Sequence, residues 1–266
     1  MKSGYIDLRV GNTSHQTWSV EYPNNGQPLL LLHGGLSATE DFDTYVLPAV
    51  EKTHHVYGYD RAGHGRTGIR EGYYHFEFQR DEAIAYLEQV VKAPAHLVGY
   101  SDGGIIALMV AIKRPDLVKS ALLIGANYHW NTGGLVFDEN IEITWDDEEK
   151  ALWSSRSPDP VEVGIATVKK AFGIWAKEPN MTIEELSKIA CPTLVLSGDD
   201  EPHSNHHTVE LYEALQDGRL AIIPGASHYV MKEKPELFLA TVMDFYANLD
   251  FPITKWPRLR KGKLPK

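Results

Sequence analysis

The chain has 266 residues, 43% hydrophobic and 23% charged, enough to bury a large core in one or two domains. Its net charge of −10 repels polyanions on average, which excludes non-specific nucleic-acid binding as a main role.

The opening alternates apolar and polar residues. Tyr5, Ile6, Leu8 and Val10 are followed by Trp18, Val20 and Tyr22, predicting an antiparallel strand pair at a sheet edge. Met1–Asp7 carries no apolar stretch of leader type, and no segment reaches the roughly 18–20 apolar residues that cross a bilayer; a cytoplasmic protein without a membrane partner is expected. Pro28–Leu32 is an apolar run ending in His33-Gly34-Gly35, the pattern of a strand covered on both faces. Thr39–Lys52 predicts a helix and Val56–Tyr59 a strand, with His54-His55 read as surface. The turn Asp60-Arg61-Ala62-Gly63-His64-Gly65 follows; its glycines lack the spacing of a phosphate-binding loop. Phe78–Val91 has helical periodicity, Ala95–Tyr100 reads as a strand, Asp102–Arg114 as a helix and Ser120–Ile124 as a strand. Strands alternating with helices imply a parallel sheet with helices on both faces.

The rhythm breaks from about Tyr128 to Ile189, where Trp130, Trp145, Trp153 and Trp175 lie with the acidic run Asp146-Asp147-Glu148-Glu149. Helical segments without a strong strand predict a helical cap at 128–189, inserted between core segments 1–127 and 190–250. Its tryptophans divide between cap core and pocket lining. Cys191, the single cysteine, excludes an internal disulfide and reads as a buried structural thiol. Thr193–Leu196 is a strand, Thr208–Leu215 a helix, Arg219–Ile223 a strand and Pro235–Asn248 the last helix. Residues 251–266 form a basic tail, with six Lys or Arg and no acid from Lys255 onward; it reads as a solvated end, the alternative being contact with a polyanion or membrane surface.

Gly99-Tyr100-Ser101-Asp102-Gly103 stands between a predicted strand and a predicted helix, the context in which Gly-x-Ser-x-Gly presents a nucleophile. The glycines leave room for a tight turn, and the helix N-terminus favours developing negative charge. A serine hydroxyl needs a base, and the base an orienting acid. His228, on the loop after the last strand, supplies the base; Asp199, Asp200 and Glu201 compete to be the acid. An oxyanion hole needs two backbone N–H groups. One is assigned to Asp102 and the other to Gly35 or Leu36, with His33-Gly34 as a structural turn. His203, His206 and His207 read as a polar helix start rather than a metal site, because adjacent histidines diverge.

His33-Gly34-Gly35, Asp60–Gly65, Gly99–Gly104, the acidic loop after Gly198 and Gly225–His228 resemble, in order and spacing, the α/β-hydrolase superfamily across nearly the whole chain. That resemblance implies a mostly parallel eight-stranded sheet with a helical cap inserted after the sixth strand. Leu97–Asn127 is similar to the valacyclovir hydrolase (biphenyl hydrolase-like) group, which implies Asp102 as the carboxylate that binds a substrate amino group. The superfamily's Gly-x-x-Asp pattern is not met. An ungapped match makes Glu201 the acid, a one-residue deletion Asp200, and Asp199 stays open. The expected activity is hydrolysis of a small carboxylic ester, or of an amino-acid ester, through an acyl-enzyme. The alternatives are hydrolysis of a carbon–carbon bond in a ring-fission product, or a small-molecule receptor that keeps its triad. No cofactor or metal is required by this chemistry, and a homodimer is compatible with the sequence.

Overall fold

The computed structural model describes residues 1–250; the basic tail predicted at 251–266 lies outside the described residues. In chain order the strands are β1 (Lys2–Val10), β2 (Thr13–Tyr22), β3 (Gln27–Leu32), β4 (His54–Tyr59), β5 (Ala95–Tyr100), β6 (Val118–Ile124), β7 (Thr193–Asp200) and β8 (Gly218–Ser227). The helices are α1 (Leu47–Val50), α2 (Phe76–Tyr86), α3 (Asp102–Lys113), α4 (Asp147–Arg156), α5 (Val161–Trp175), α6 (Ile183–Leu186), α7 (Asn205–Ala214), α8 (Val230–Glu233) and α9 (Pro235–Ala247). The strands form one eight-stranded sheet in the order β1-β2-β4-β3-β5-β6-β7-β8. β1 and β2 are the expected antiparallel pair at the edge, and β2 joins β4 antiparallel. From β4 to β8 every neighbouring pair is parallel. This is the α/β-hydrolase fold, with helices α4 and α5 inserted after β6.

The apolar runs of the central strands follow from burial on both faces. Successive side chains point to opposite sides of a sheet. Leu30 and Leu32 of β3 therefore join Leu97, Leu123 and Val195 in one core, covered by Tyr86, Ile105, Leu108 and Leu211 from α2, α3 and α7. Leu29 and Leu31 join Val98, Leu122 and Leu196 in the other, covered by Val50, Phe238, Val242 and Phe245 from α1 and α9.

Two expectations need correction. The helix predicted over Thr39–Lys52 is a 3-10 turn, Thr39–Phe42, and the four-residue α1. Pro48 sits in the first turn of α1, where its missing N–H does no harm but where it prevents continuous helix from upstream. The N–H and hydroxyl of Thr39 are both taken by the buried Asp60 carboxylate, at 2.9 and 2.7 Å. His54-His55 is not a surface approach to a strand; both residues lie in β4, and His54 is buried with its ring against His96 and Tyr246.

The insertion is tied to the core by polar contacts at several points. Glu178 accepts the Phe76 N–H at the start of α2 and contacts His75 Nδ1 at 2.8 Å. Asp159 accepts the Ile69 N–H, Tyr73 and Thr167 share a hydroxyl hydrogen bond, and Arg156 pairs with Glu40.

Helix α3 lies so close to β3 that a Cβ on Gly103 would stand 1.8 Å from the Leu32 carbonyl oxygen. Gly103→Ala is therefore expected to lower stability by about 1–3 kcal/mol, the usual penalty for overpacking. Gly4→Ala, at a position with nothing within 4 Å, should stay within about 0.5 kcal/mol of the parent. Urea unfolding of the two variants checks both.

Candidate active site

Ser101 occupies the turn from β5 into α3 with φ 52° and ψ −118°, a conformation an L-residue adopts only when its surroundings impose it. The surroundings do so from both sides. A Cβ at Gly99 would meet the Gly103 carbonyl oxygen at 2.2 Å, so strand and helix pass each other with no side chain between them. The Ser101 N–H is held by the Ile124 carbonyl at 2.8 Å. Asp102 is the first residue of α3, so its backbone N–H has no intrahelical acceptor.

His228 Nε2 lies 3.0 Å from Ser101 Oγ, and His228 Nδ1 lies 2.5 Å from Glu201 Oε2. With Nδ1–H donating to the carboxylate, Nε2 is free to accept the serine proton. The Glu201 side chain has no exposed surface. Burial raises its pKa, but the hydrogen bond and charge of His228, the nearby His203 and the Gly198 N–H together outweigh burial and hold it below the ordinary value. Gly125, with φ 60°, makes the space for this pair. A Cβ there would stand 2.8 Å from His228 Nδ1 and 3.3 Å from Glu201 Oε1.

The three consecutive carboxylates separate because the β7–β8 ladder shifts register between Gly198 and Asp200. Asp199 Oδ1 turns across to accept the Gly225 and Ala226 N–H groups at 2.9 and 3.2 Å. Asp200 pairs with Ser227 as the exposed last residue of β7. Glu201 alone comes to His228, so the structure does not bring Asp200 or Asp199 into the line.

The group opens on a cavity of about 480 Å³ whose lining includes Gly35, Leu36, Asp102, Phe172, Trp175 and Tyr229. Leu36 is left-handed at φ 56°, so the turn after β3 holds a second strained residue beside the cavity. Gly35 abuts Asp102: a Cβ on it would meet Asp102 Oδ2 at 2.5 Å and the Trp175 ring at 2.6 Å. Asp102 is buried, and its Oδ1 accepts the Trp175 indole N–H at 3.0 Å. Burial pushes the Asp102 carboxyl up, opposed by Arg61, Trp175 and His228. The carboxylates lining the cavity are Asp41, Asp102 and Glu178; His203 and His228 also line it, and the described lining residues include no Lys or Arg.

The structure divides the cap tryptophans. Trp130 and Trp175 line the cavity, whereas Trp145 and Trp153 pack on each other at 5.5 Å beside Gly164. The sequence offers Trp175 only as one of four cap tryptophans, without sorting pocket from core, because that depends on how α5 lies over the sheet. Gly125 falls within the Leu97–Asn127 segment that resembles the biphenyl hydrolase-like group, with no signal of its own. Cys191 is half-buried rather than fully so. His206 and His207 lie in the first turn of α7, where His207 stacks on Tyr128 at 4.2 Å.

The described geometry agrees with the comparisons. Residues 29–241 match the model of the alpha/beta hydrolase family. The 2-hydroxy-6-oxo-6-(2'-aminophenyl)hexa-2,4-dienoic acid hydrolase of Metapseudomonas resinovorans is 25% identical, over 92% of each chain. The serine hydrolase BPHL of Mus musculus is 27% identical, over 82% of this chain and 78% of its own. The meta-cleavage product hydrolase of Pseudomonas fluorescens has the same fold, with a TM-score of 0.71 at 20% identity, over 94% of this chain and 98% of its own. The chain belongs to the alpha/beta hydrolase family and is a serine-hydrolase-type enzyme that acts on a small organic substrate.

Proposed function

We propose that this enzyme hydrolyses a small carboxylic ester that is neutral or carries a cationic group, with Ser101 as nucleophile, His228 as general base and acid, and Glu201 as the orienting acid. The observation that carries the reading is the Ser101–His228–Glu201 line opening on a cavity whose carboxylates are not balanced by Lys or Arg among the described lining residues. An anionic substrate would be repelled there, while an ammonium beside Asp102 would gain a charge-assisted contact.

The chemistry follows from the tautomer. His228 Nε2 takes the Ser101 proton as Oγ bonds to the substrate carbonyl carbon. The carbonyl oxygen becomes an oxyanion, held by the backbone N–H of Asp102 and that of Gly35 or Leu36. The bond to the leaving alkoxide breaks as His228 delivers the proton, releasing the alcohol. Water then adds to the acyl-enzyme with His228 again as base, and the carboxylic acid leaves with Ser101 restored. Glu201 stays ionised throughout and stabilises the imidazolium. For an amino-acid ester, the Asp102 carboxylate receives the substrate ammonium.

A second reading is hydrolysis of a carbon–carbon bond in a ring-fission product. It is favoured by the comparisons, which lean towards it over simple esterases: the Metapseudomonas relative and the Pseudomonas structure both carry that activity in their names. The same three residues would serve it.

Kinetics with p-nitrophenyl acetate, valine methyl ester and 2-hydroxy-6-oxo-6-phenylhexa-2,4-dienoate separate the readings. We expect the aminoacyl ester to have the highest kcat/KM and the dienoate the lowest; the reverse order would establish the carbon–carbon reading. Asp102→Asn should lower kcat/KM for valine methyl ester by about tenfold to a hundredfold more than for the acetate, the worth of one charged hydrogen bond. Glu201→Gln should reduce kcat by about 10³–10⁴-fold, since a neutral amide neither fixes the tautomer nor stabilises the imidazolium. Asp200→Asn should leave kcat near that of the parent, and a large loss in it would reassign the acid.

A further inference from the structure

Arg61 is 1% exposed, and its hydrogen bonds go to two carbonyl oxygens rather than to a carboxylate. One guanidinium nitrogen donates to the His33 carbonyl and the other to the Gly34 carbonyl at 2.9 Å. A buried cation held only by neutral acceptors is costly, and burial lowers the pKa of Arg61 against the attraction of Asp102, Glu82 and Asp60. The Arg61 backbone N–H donates to His33 Nε2 at 3.0 Å, so the His33 ring hydrogen sits on Nδ1, which donates to the Gly34 oxygen at 2.8 Å. Burial, with Arg61 and His64 adding to it, drives the His33 pKa well below its ordinary value and keeps the ring neutral. The Gly34 carbonyl thus receives two donors, one of them a full cation.

The Gly34 carbonyl and the Gly35 N–H belong to one planar trans peptide, so they point in opposite directions. This peptide lies beside the nucleophile: a Cβ on Gly34 would stand 3.5 Å from Ser101 Cβ, and one on Gly35 would meet the Asp102 carboxylate. Holding the carbonyl oxygen on Arg61 therefore fixes the Gly35 N–H on the side of the peptide away from the guanidinium. A cation at the oxygen end also polarises the peptide and strengthens its N–H as a donor.

We propose that Arg61 is a positioning residue of the oxyanion hole, acting through the Gly34–Gly35 peptide to aim and polarise the Gly35 N–H. The assignment rests on the serine-hydrolase reading above and selects Gly35 over Leu36 as the second donor. Arg61 touches no substrate. Its contribution is realised only as the carbonyl oxygen gains charge, so it belongs to kcat rather than to KM.

The test uses Arg61→Met and Arg61→Lys, with sites counted by fluorophosphonate titration and p-nitrophenyl acetate as substrate. Per titrated site, kcat should fall about tenfold to a hundredfold, up to the loss of a whole oxyanion donor, with KM within threefold. Inhibition by phenylboronic acid, which forms a tetrahedral adduct on the serine, should weaken by the same factor. Arg61→Lys keeps a charge but loses the planar fork that reaches both carbonyls from separate nitrogens, so it should fall between the parent and Arg61→Met. Fewer titratable sites with parental kcat per site and parental boronate affinity would show Arg61 to be scaffold and overturn the proposal, as would failure of both variants to fold. Ser101→Ala separates the two levels. If it keeps turnover, the nucleophile reading fails; if it abolishes turnover while both Arg61 variants keep parental kcat per site, this inference alone fails.

Discussion

The close passage of α3 over the ends of β3 and β5 is the constraint on which the site depends. Glycines at 99 and 103 let backbone approach backbone where any side chain would collide with a carbonyl. That approach forces Ser101 into its left-handed turn and leaves the Asp102 N–H, at the head of α3, without an intrahelical acceptor. The strain at Ser101 persists because the parallel ladder of β5 and the packed apolar face of α3 over-determine it. The nucleophile turn, the helix dipole beside it and the unpaired Asp102 N–H are thus consequences of one packing contact.

The same reasoning accounts for the other half of the line. β7 and β8 run past their apolar stretches as a paired extension, and the register shift near Gly198 turns successive carboxylates to different sides. Asp199 braces the end of β8, and Glu201 is left buried against His228. Because both loops leave neighbouring parallel strands, the acid and the base are held by one ladder rather than by two independent loops. Gly198 permits it, since a Cβ there would stand 2.1 Å from the Ala226 carbonyl oxygen.

Around this frame the groups lining the cavity include carboxylates and, among the described lining residues, no Lys or Arg. Asp102 is kept in place by the indole of Trp175 from the last turn of α5, and Glu178 of the same insertion grips the start of α2. The insertion therefore covers the nucleophile, orients the carboxylate next to it, and is itself anchored to the core. Arg61, beneath the turn after β3, supplies the buried positive charge that offsets Asp102.

Much was legible in the sequence because it depends on local pattern. Alternation, apolar runs and turn residues report burial and backbone conformation, and these located the edge pair, the central strands, the insertion, the serine turn and His228. Thr39–Lys52 misled because an apolar pattern does not reveal that Asp60, far along the chain, captures the Thr39 backbone. Choosing among three adjacent carboxylates needed a bulge that exists only when β7 is paired with β8. The partnership of Trp175 with Asp102 joins residues 73 apart in sequence. The grip of Arg61 on the turn joins residues 27 and 28 apart. By itself, then, the sequence determined the fold class and a serine and a histidine at the ends of two strands. Which acid completes them, and what surrounds them, was decided by long-range packing, because side-chain direction at a bulge, a helix end or a buried turn is set by the neighbour across the gap and not by the residue beside it in the chain.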